Sequence, residues 1–504
     1  MPKNLVSRER KHNFAQMEEL VTRKRFVLFL CLLIFAQAFL TWCGEAKQEY
    51  EYGLTNVNHV DLVILHINDT HGRLLPFDAP DPKSIGGIAR LATLIKNIRN
   101  ENAGCVLVLH AGDIFSRGDT LTVYYGGEVD LAAMDAMGCD AFTPGNGEFY
   151  FGIENLRQQT ALVRFPTLLA NVVYRKDEKM VFQPYIIKDV AGIKVAILGL
   201  GFIRQEHPSA WPLILQDPIV VAKKYAPLLR KQADIVVALT HIGLTEDQKL
   251  ATEVPQIDII IGGHSHNQLD IPLRIPKPDG TGEIIVVQAG DYGRFLGRLD
   301  IRLQKNENSQ YHIAKVEGQL LPIDSRIRED MEINKLLKRY SEPLEEVLCT
   351  SEITLTNPAS GDNPMGNLVV EALRSETDPD VALLDRSAVQ SGIGPGDVTV
   401  ADVFRIHPWR NRVLKLTLTG AQLQQILTKH DIFTAGCSFQ KVEGEVKNLN
   451  IGKSPADLEK PYKVVAGEYL VGLVPDLREI PFDETGYRVD TILQNYLRRM
   501  DVIK

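Results

Sequence analysis

Seven side chains that suit divalent cations fall in five short segments of this 504-residue chain, each segment following an apolar run. Asp69 and His71 lie in HINDTHG, Asp113 in HAGDIFSRGD, Asn146 in TPGNGEF, His241 in LTHIG, and His264 with His266 in GGHSH. A carboxylate able to bridge, several imidazoles and an amide oxygen suit a pair of divalent metal ions such as Mn, Zn or Fe, without choosing among them. Two such ions held side by side polarise a phosphoryl oxygen, activate a water and stabilise the attacking and leaving oxygens of a displacement. Singly the pieces say little, because a lone DxH pair is more often polar loop than metal ligand. Together they say more. Carboxylates and imidazoles that converge without a cation are costly to desolvate, so five such segments in succession predict a two-metal centre.

The apolar runs must position them. DLVILHIND reads as a buried strand, GGIARLATLIKNIRNE has helical spacing, CVLVLHAGD is a second strand, and LAAMDAMGCDAFTPGN gives a helix and a short strand. FPTLLANVV, KVAILGLGF, ADIVVALTHIG and IDIIIGGHSH repeat the theme. Strands alternating with helices predict a layered α/β domain, in which the loops after strand C-termini gather at one edge. The seven candidate ligands all sit in such loops. EIIVVQAGDYGRFLGRLDIRLQ and YHIAKVEGQLLPI read as β-hairpin structure closing this first domain, placed at residues 58–326, and residues 327–347 as a connecting helix. Residues 348–504 then form a second, smaller α+β domain, with NPMGNLVVEALR and LTGAQLQQILTKH as helices and DVALLD and KVVAGEYLV as strands.

The length predicts two or three domains. A hydrophobic fraction of 44% and a charged fraction of 24% are those of a soluble globular protein. Net charge is −8, so no basic field recruits a nucleic acid polymer. A small anionic substrate stays compatible, because metal ions supply positive charge locally. Residues 1–45 read differently: Arg23, Lys24 and Arg25 precede an apolar run from Phe26 to Trp42, the pattern of an export signal or anchor. Ala36-Gln37-Ala38 offers a cleavage site, Cys43 offers lipid attachment, and retention as a membrane anchor is the third route; Met17 is an alternative start. The expectation is an exported protein, whether periplasmic, secreted or membrane-attached. Cys105, Cys139, Cys349 and Cys437 are scattered, specify no disulfide framework, and at Cys105 and Cys139 read as buried apolar residues.

The order DxH, GD, GN, a single His, then GHSH resembles the calcineurin-type metallophosphoesterases. With the trailing domain it is similar to the exported 5′-nucleotidase and UDP-sugar hydrolase family, over roughly residues 60–504. The resemblance implies a four-layer α/β/β/α sandwich followed by a 5′-nucleotidase C-terminal-type domain, with a hinge near the connecting helix. It implies that Asp69, His71, Asp113 and His266 hold one metal, and Asp113, Asn146, His241 and His264 the other. The implied activity is hydrolysis of a phosphate ester, a nucleotide or related phosphomonoester, presented by the second domain.

The chain departs from the family pattern at two places. Where the family writes GNHEFD, this chain has Gly145-Asn146-Gly147-Glu148-Phe149-Tyr150, so Gly147 and Tyr150 replace a His/Asp dyad that assists the reaction. His207, in GFIRQEHPSAW, is a candidate replacement, against its reading as a plain loop histidine. In the second domain, Asp385 stands for the family Asn, Gln390 for the Arg and Trp409 for the stacking Phe, while Asn411 fits the family Asn. Trp409 offers a stacking face for a base. Arg410, with Arg386, Arg405 and Arg412 nearby, offers a forked phosphate contact. Two other readings follow from these departures: a degenerate homologue that binds metal and ligand without turnover, and a thiosulfohydrolase-like or other non-nucleotide hydrolase.

Overall fold

The structure, a computed structural model, describes residues 59–78, 84–115, 118–307 and 310–504. The expected export segment, the Ala36–Ala38 cleavage site and Cys43 lie outside the described residues.

Six parallel strands form the frame of the site. They are β1 (His59–Ile67), β2 (Val106–His110), β3 (Ala141–Phe142), β4 (Ile193–Leu200), β5 (Ile235–Thr240) and β6 (Ile259–Ile261), and five of them, all but β4, lead into the candidate ligands. The first sheet runs in the order Tyr311–Pro322, Phe295–Lys305, β1, β2, β3. In it Ile67 pairs with His110 and His110 with Phe142, which brings three strand ends level. The second sheet runs Leu273–Pro276, Glu283–Val287, β6, β5, β4, Tyr185–Val190. There Leu200 pairs with Thr240 and Leu239 with Ile261.

The burial pattern explains the layering. In β1, Val63, Leu65 and Ile67 pack with the stripe Ile88, Leu91, Ile95 and Ile98 of the helix Ile88–Glu101. Leu62 and Ile64, which point the other way, are equally buried. In the second sheet Ala196, Leu198, Val236 and Ala238 pack with residues of the helices Pro218–Arg230 and Leu244–Glu253, while Val195, Ile197, Val237 and Leu239 are buried on the opposite face. Strands buried on both faces read as continuous apolar runs rather than alternating ones, as these do. The layers are therefore helix, sheet, sheet, helix.

Phe295–Lys305 and Tyr311–Pro322 form the expected antiparallel hairpin. The helix read over 327–347 spans only Met331–Ser341; Asp330 caps it by accepting from the backbone N–H groups of Glu332 and Ile333, and a 3-10 turn begins at Glu342, just before Pro343. KVVAGEYLV also differs: the strand Pro461–Gly467 stops at its glycine and Glu468–Leu473 turn into a helix. FPTLLANVV is regular strand only at its end, within Val172–Tyr174.

The C-terminal part is built on a five-stranded sheet, ordered Ile432–Ala435, Val381–Asp385, Pro461–Gly467, Arg412–Thr419, Phe482–Arg488, with the helices Pro364–Thr377, Gly420–Lys429 and Val489–Met500. A single buried apolar cluster passes from this part into the first one. It includes Phe115 and Val123 on one side and Leu337, Val403 and Phe404 on the other. Tyr124 packs edge-on against Phe404 with centroids 5.1 Å apart, and Tyr340 donates to Glu128 at 2.9 Å. Residues Asp61–Lys504 form one compact unit.

Candidate metal centre and adjoining cavity

All seven predicted ligands leave the C-terminal ends of parallel strands: Asp69 and His71 after β1, Asp113 after β2, Asn146 after β3, His241 after β5, His264 and His266 after β6. The loops are tied together by their backbones, with Asp69 N–H donating to Gly112 O at 2.9 Å and His71 N–H to Asp113 O at 2.9 Å. Five of the seven, Asp69, His71, Asp113, His264 and His266, adopt positive φ between 49° and 78°. Side chains rarely accept that backbone region, and such strain persists where surrounding structure over-determines it, commonly at functional sites.

The ligand atoms converge. His241 Nε2 lies 3.4 Å from Asp113 Oδ1 and 3.9 Å from Asp69 Oδ1. His266 Nε2 lies 3.4 Å from Asp69 Oδ1 and 2.9 Å from His71 Nε2, and His71 Nδ1 is 3.9 Å from Asp113 Oδ2. Two groupings result, Asp69–His71–His266 and Asp69–Asp113–His241. His264 completes the ring of imidazoles, its centroid 5.2 Å from that of His241.

Outer contacts orient these ligands. His241 Nδ1 donates to Ala111 O at 2.7 Å, which leaves Nε2 as the electron-pair end facing the centre. His266 Nδ1 faces Asp291 at 3.4 Å. Asp69 Oδ2 accepts from Asn68 Nδ2 at 2.8 Å and from His264 N–H at 2.9 Å, so Oδ1 is turned inward. Glu148 is fully buried and accepts from the backbone N–H groups of Asp113, Phe115 and Gly145, pinning the β2 and β3 loops to each other. Gly147 N–H donates to Asp113 Oδ1 at 2.7 Å.

Two of the converging atoms, Asp69 Oδ1 and His241 Nε2, and Asn146 Oδ1 on the loop after β3 are buried without a hydrogen-bond partner. Buried polar atoms in folded proteins are almost always paired. Three orphans from two carbonyl-type oxygens and one imidazole, beside the Asp113 carboxylate, are the donor set of hard and borderline divalent cations. The residues fit two such ions.

Electrostatics agree. Burial opposes a charge on His241, but the Asp113 and Asp69 carboxylates outweigh it and raise its pKa to about 10. A cation takes the place of that proton. Burial lowers the pKa of His264 to about 4 and holds that of His71 below the usual imidazole value. Burial first, then the Asp113 charge, raises Glu148 to about 8, with the backbone donors pulling the other way.

Beside the centre lies a cavity of about 340 Å³. Tyr150, Arg204 and His207 from the first part line it together with Trp409, Asn411 and Tyr469 from the second. Tyr150 joins the two places, because its hydroxyl accepts from Asn146 Nδ2 at 3.0 Å. His207 packs against Tyr150 with centroids 4.9 Å apart and ring planes tilted by 41°, and lies 6.1 Å from Tyr469, so it is a wall residue of the cavity rather than a plain loop histidine. Its Nδ1 pairs with Ser209, and burial lowers its pKa.

Residues 62–268 match the calcineurin-like phosphoesterase family, and residues 343–473 match the 5′-nucleotidase C-terminal domain. The chain thus carries a calcineurin-like phosphoesterase domain followed by a 5′-nucleotidase C-terminal domain. It is 28% identical to a 5′-nucleotidase of Vibrio cholerae over 91% of this chain and 94% of that one. It is 28% identical to the trifunctional nucleotide phosphoesterase protein YfkN of Bacillus subtilis over 78% of this chain, which spans 29% of that longer relative. The crystal structure of a 5′-nucleotidase precursor from Thermus thermophilus shares the fold, with a TM-score of 0.59 and 24% identity over 88% of this chain and 97% of that one. Calcineurin-like phosphoesterases use two divalent metals, in keeping with the donor set above.

Of the residues expected to bind substrate in this phosphoesterase, Trp409 and Asn411 reach the cavity; Asp385, Gln390 and Arg410 are not among its lining residues. Asp385 is buried at the end of its strand with Oδ1 held by Ser387, and burial raises its pKa. Gln390 is folded back onto Ser387 O at 2.7 Å. Arg410, at φ 53°, turns its guanidinium to Phe151, 5.9 Å from the ring centroid, and is half-buried. The other expected arginines are engaged as well: Arg386 with Asp431, Arg405 with Asp402, Arg412 with Glu468 and Glu484. The arginines on the cavity are Arg204 and Arg478, which no motif flagged. Glu148 and Asp291 were equally silent in the sequence, although each stands within three residues of a GN or GD turn.

Proposed function

We propose that this phosphoesterase hydrolyses a nucleotide or related phosphomonoester with two divalent cations held by Asp69, His71, Asp113, Asn146, His241, His264 and His266. The single observation that carries the reading is the set of three partnerless buried atoms, Asp69 Oδ1, Asn146 Oδ1 and His241 Nε2, on loops gathered at the same sheet edge. Cations bound there supply Lewis acidity toward a phosphoryl oxygen and a water of lowered pKa. The chain's own residues do the rest. Asp113 faces both ligand groups and is fixed by Gly147 N–H. Trp409 lines the cavity with its Nε1–H held by Ser387 O at 3.0 Å, and its ring is the one we assign to stacking against a base. Arg204 and Arg478 bring positive charge to a wall that an anionic substrate must meet.

We place the division of the chain at residues 58–326, 327–347 and 348–504, a proposal supported by the family matches at 62–268 and 343–473 and by the helix Met331–Ser341. We also propose export, from the basic and apolar N-terminal pattern; N-terminal sequencing of the protein recovered from its native host tests it, and an intact Met1 on cytoplasmic protein refutes it.

The test of activity is to load purified protein with Mn²⁺ and assay nucleoside monophosphates, sugar nucleotides and an activated aryl phosphate. Release of phosphate that His241→Ala abolishes is the expected result. Two bound metal equivalents with no turnover of any ester would replace this reading by ligand capture without catalysis, the reading that Gly147 favours by putting no side chain beside Asn146.

A further inference from the structure

We propose that Tyr150 is a positioning residue for the metal centre, orienting the Asn146 amide so that its oxygen and not its nitrogen faces the cation. The inference rests on Asn146 being a ligand, as read above. A carboxamide has two ends of nearly equal size and opposite chemistry: the oxygen can ligate, the NH₂ only donates. Packing alone hardly tells them apart, so a ligand Asn needs a partner that recognises one end. Asn146 Nδ2 has such a partner in the Tyr150 hydroxyl at 3.0 Å, while Oδ1 is buried with none.

The contact is local and braced. Asn146 caps the 3-10 helix Gly147–Phe151, and Tyr150 lies one turn on. The Tyr150 ring packs against His207 in a tilted contact with centroids 4.9 Å apart, and His207 is itself held by Ser209 Oγ at 2.6 Å. The hydroxyl thus has a fixed side facing the ligand, and the ring has a fixed side facing the cavity. Outer partners of metal ligands set ligand orientation and commonly govern affinity by about 10–100-fold. One side chain therefore links the wall that substrate touches to a metal ligand.

The test is a Mn²⁺ titration of the full-length protein, by calorimetry or by the electron paramagnetic resonance of bound Mn²⁺, and it needs no turnover. Tyr150→Phe removes only the oxygen. It should weaken one of the two cations by about 10–100-fold and leave the other within about twofold. Asn146→Asp supplies the decisive background, because a carboxylate has two equivalent oxygens and no wrong end; there Tyr150→Phe should be silent. A normal two-cation titration in Tyr150→Phe overturns the proposal. So does an equal loss in both backgrounds, which would make Tyr150 a packing residue. A wild-type protein that takes up fewer than two cations sinks the two-metal reading itself, and the role of Tyr150 with it; that outcome shows in the wild-type titration alone.

Discussion

At the scale of single residues, the centre is defined by atoms that nothing else in the protein satisfies. Replacing His241 by Ala removes a fully buried ligand whose Nδ1 is already committed to Ala111 O. We expect loss of bound metal and a fall in kcat of at least about 10²-fold, the scale on which one stabilising group in a pre-organised site matters; metal analysis beside steady-state kinetics checks it. A second residue governs stability rather than chemistry. Asp247 is completely buried, and burial raises its pKa to about 7 against the hydrogen bonds from Thr240 and Gln288. A carboxyl that holds its proton more tightly when folded stabilises the protein at low pH, and that contribution is lost as pH climbs from its unfolded value of 3.8 through about 7. Wild-type protein should therefore lose Tm across that window by an increment that Asp247→Asn lacks. Parallel melting curves at closely spaced pH values read the difference, and identical slopes would remove Asp247 from the account.

At the scale of elements, the loops succeed because glycine lets them approach. Gly145 precedes the ligand Asn146; a Cβ there would lie 2.3 Å from Asp113 Oδ1 and 2.4 Å from His241 Nε2. Gly145 does not have a positive φ, so Gly145→Ala crowds the ligands without imposing backbone strain. The expected outcome is a folded protein with reduced metal content and a loss in kcat/KM of about 10²-fold, the scale of a 1 Å misplacement. Circular dichroism and metal analysis together separate this from misfolding. The helix Met331–Ser341 makes a second element-scale case. Its N-cap, Asp330, satisfies two otherwise free backbone N–H groups, so Asp330→Ala should cost about 1 kcal/mol in a denaturant titration and leave kcat alone. The same helix shows where element boundaries escape the sequence: charge periodicity continues through Glu345, yet the α-helix stops at Ser341, before Pro343.

At the scale of the whole molecule, the two parts share one apolar core, and that is the chief departure from a picture of separate domains around a hinge. Phe404, at 3% exposure, packs edge-on to Tyr124, and both belong to the same cluster as Leu337 and Phe115. Phe404→Ala should destabilise the protein by about 3–5 kcal/mol, and fluorescence and far-ultraviolet transitions should shift together, since the cavity opens in a core common to both parts. Separate shifts would show that the parts melt independently. The same junction decides the cavity, which needs Tyr150 and His207 from one part and Trp409 and Tyr469 from the other.

The sequence by itself determined most of the strands, the order of the candidate ligands and the chemistry they suit, because burial on both faces writes long apolar runs and five of the runs here lead into a metal-binding residue type. It singled out Trp409, which lines the cavity. It did not determine which neighbour shares that site. Trp409 and Arg410 are adjacent, yet one lines the cavity and the other, at a left-handed φ, turns to Phe151. Nor did it reveal that Tyr150, which the motif reads as a loss, accepts from the amide of the ligand beside it. Side-chain direction at such turns follows from backbone dihedrals and from contacts between segments far apart in the chain, and residue types in a row do not encode either one. Only the packed structure sets them.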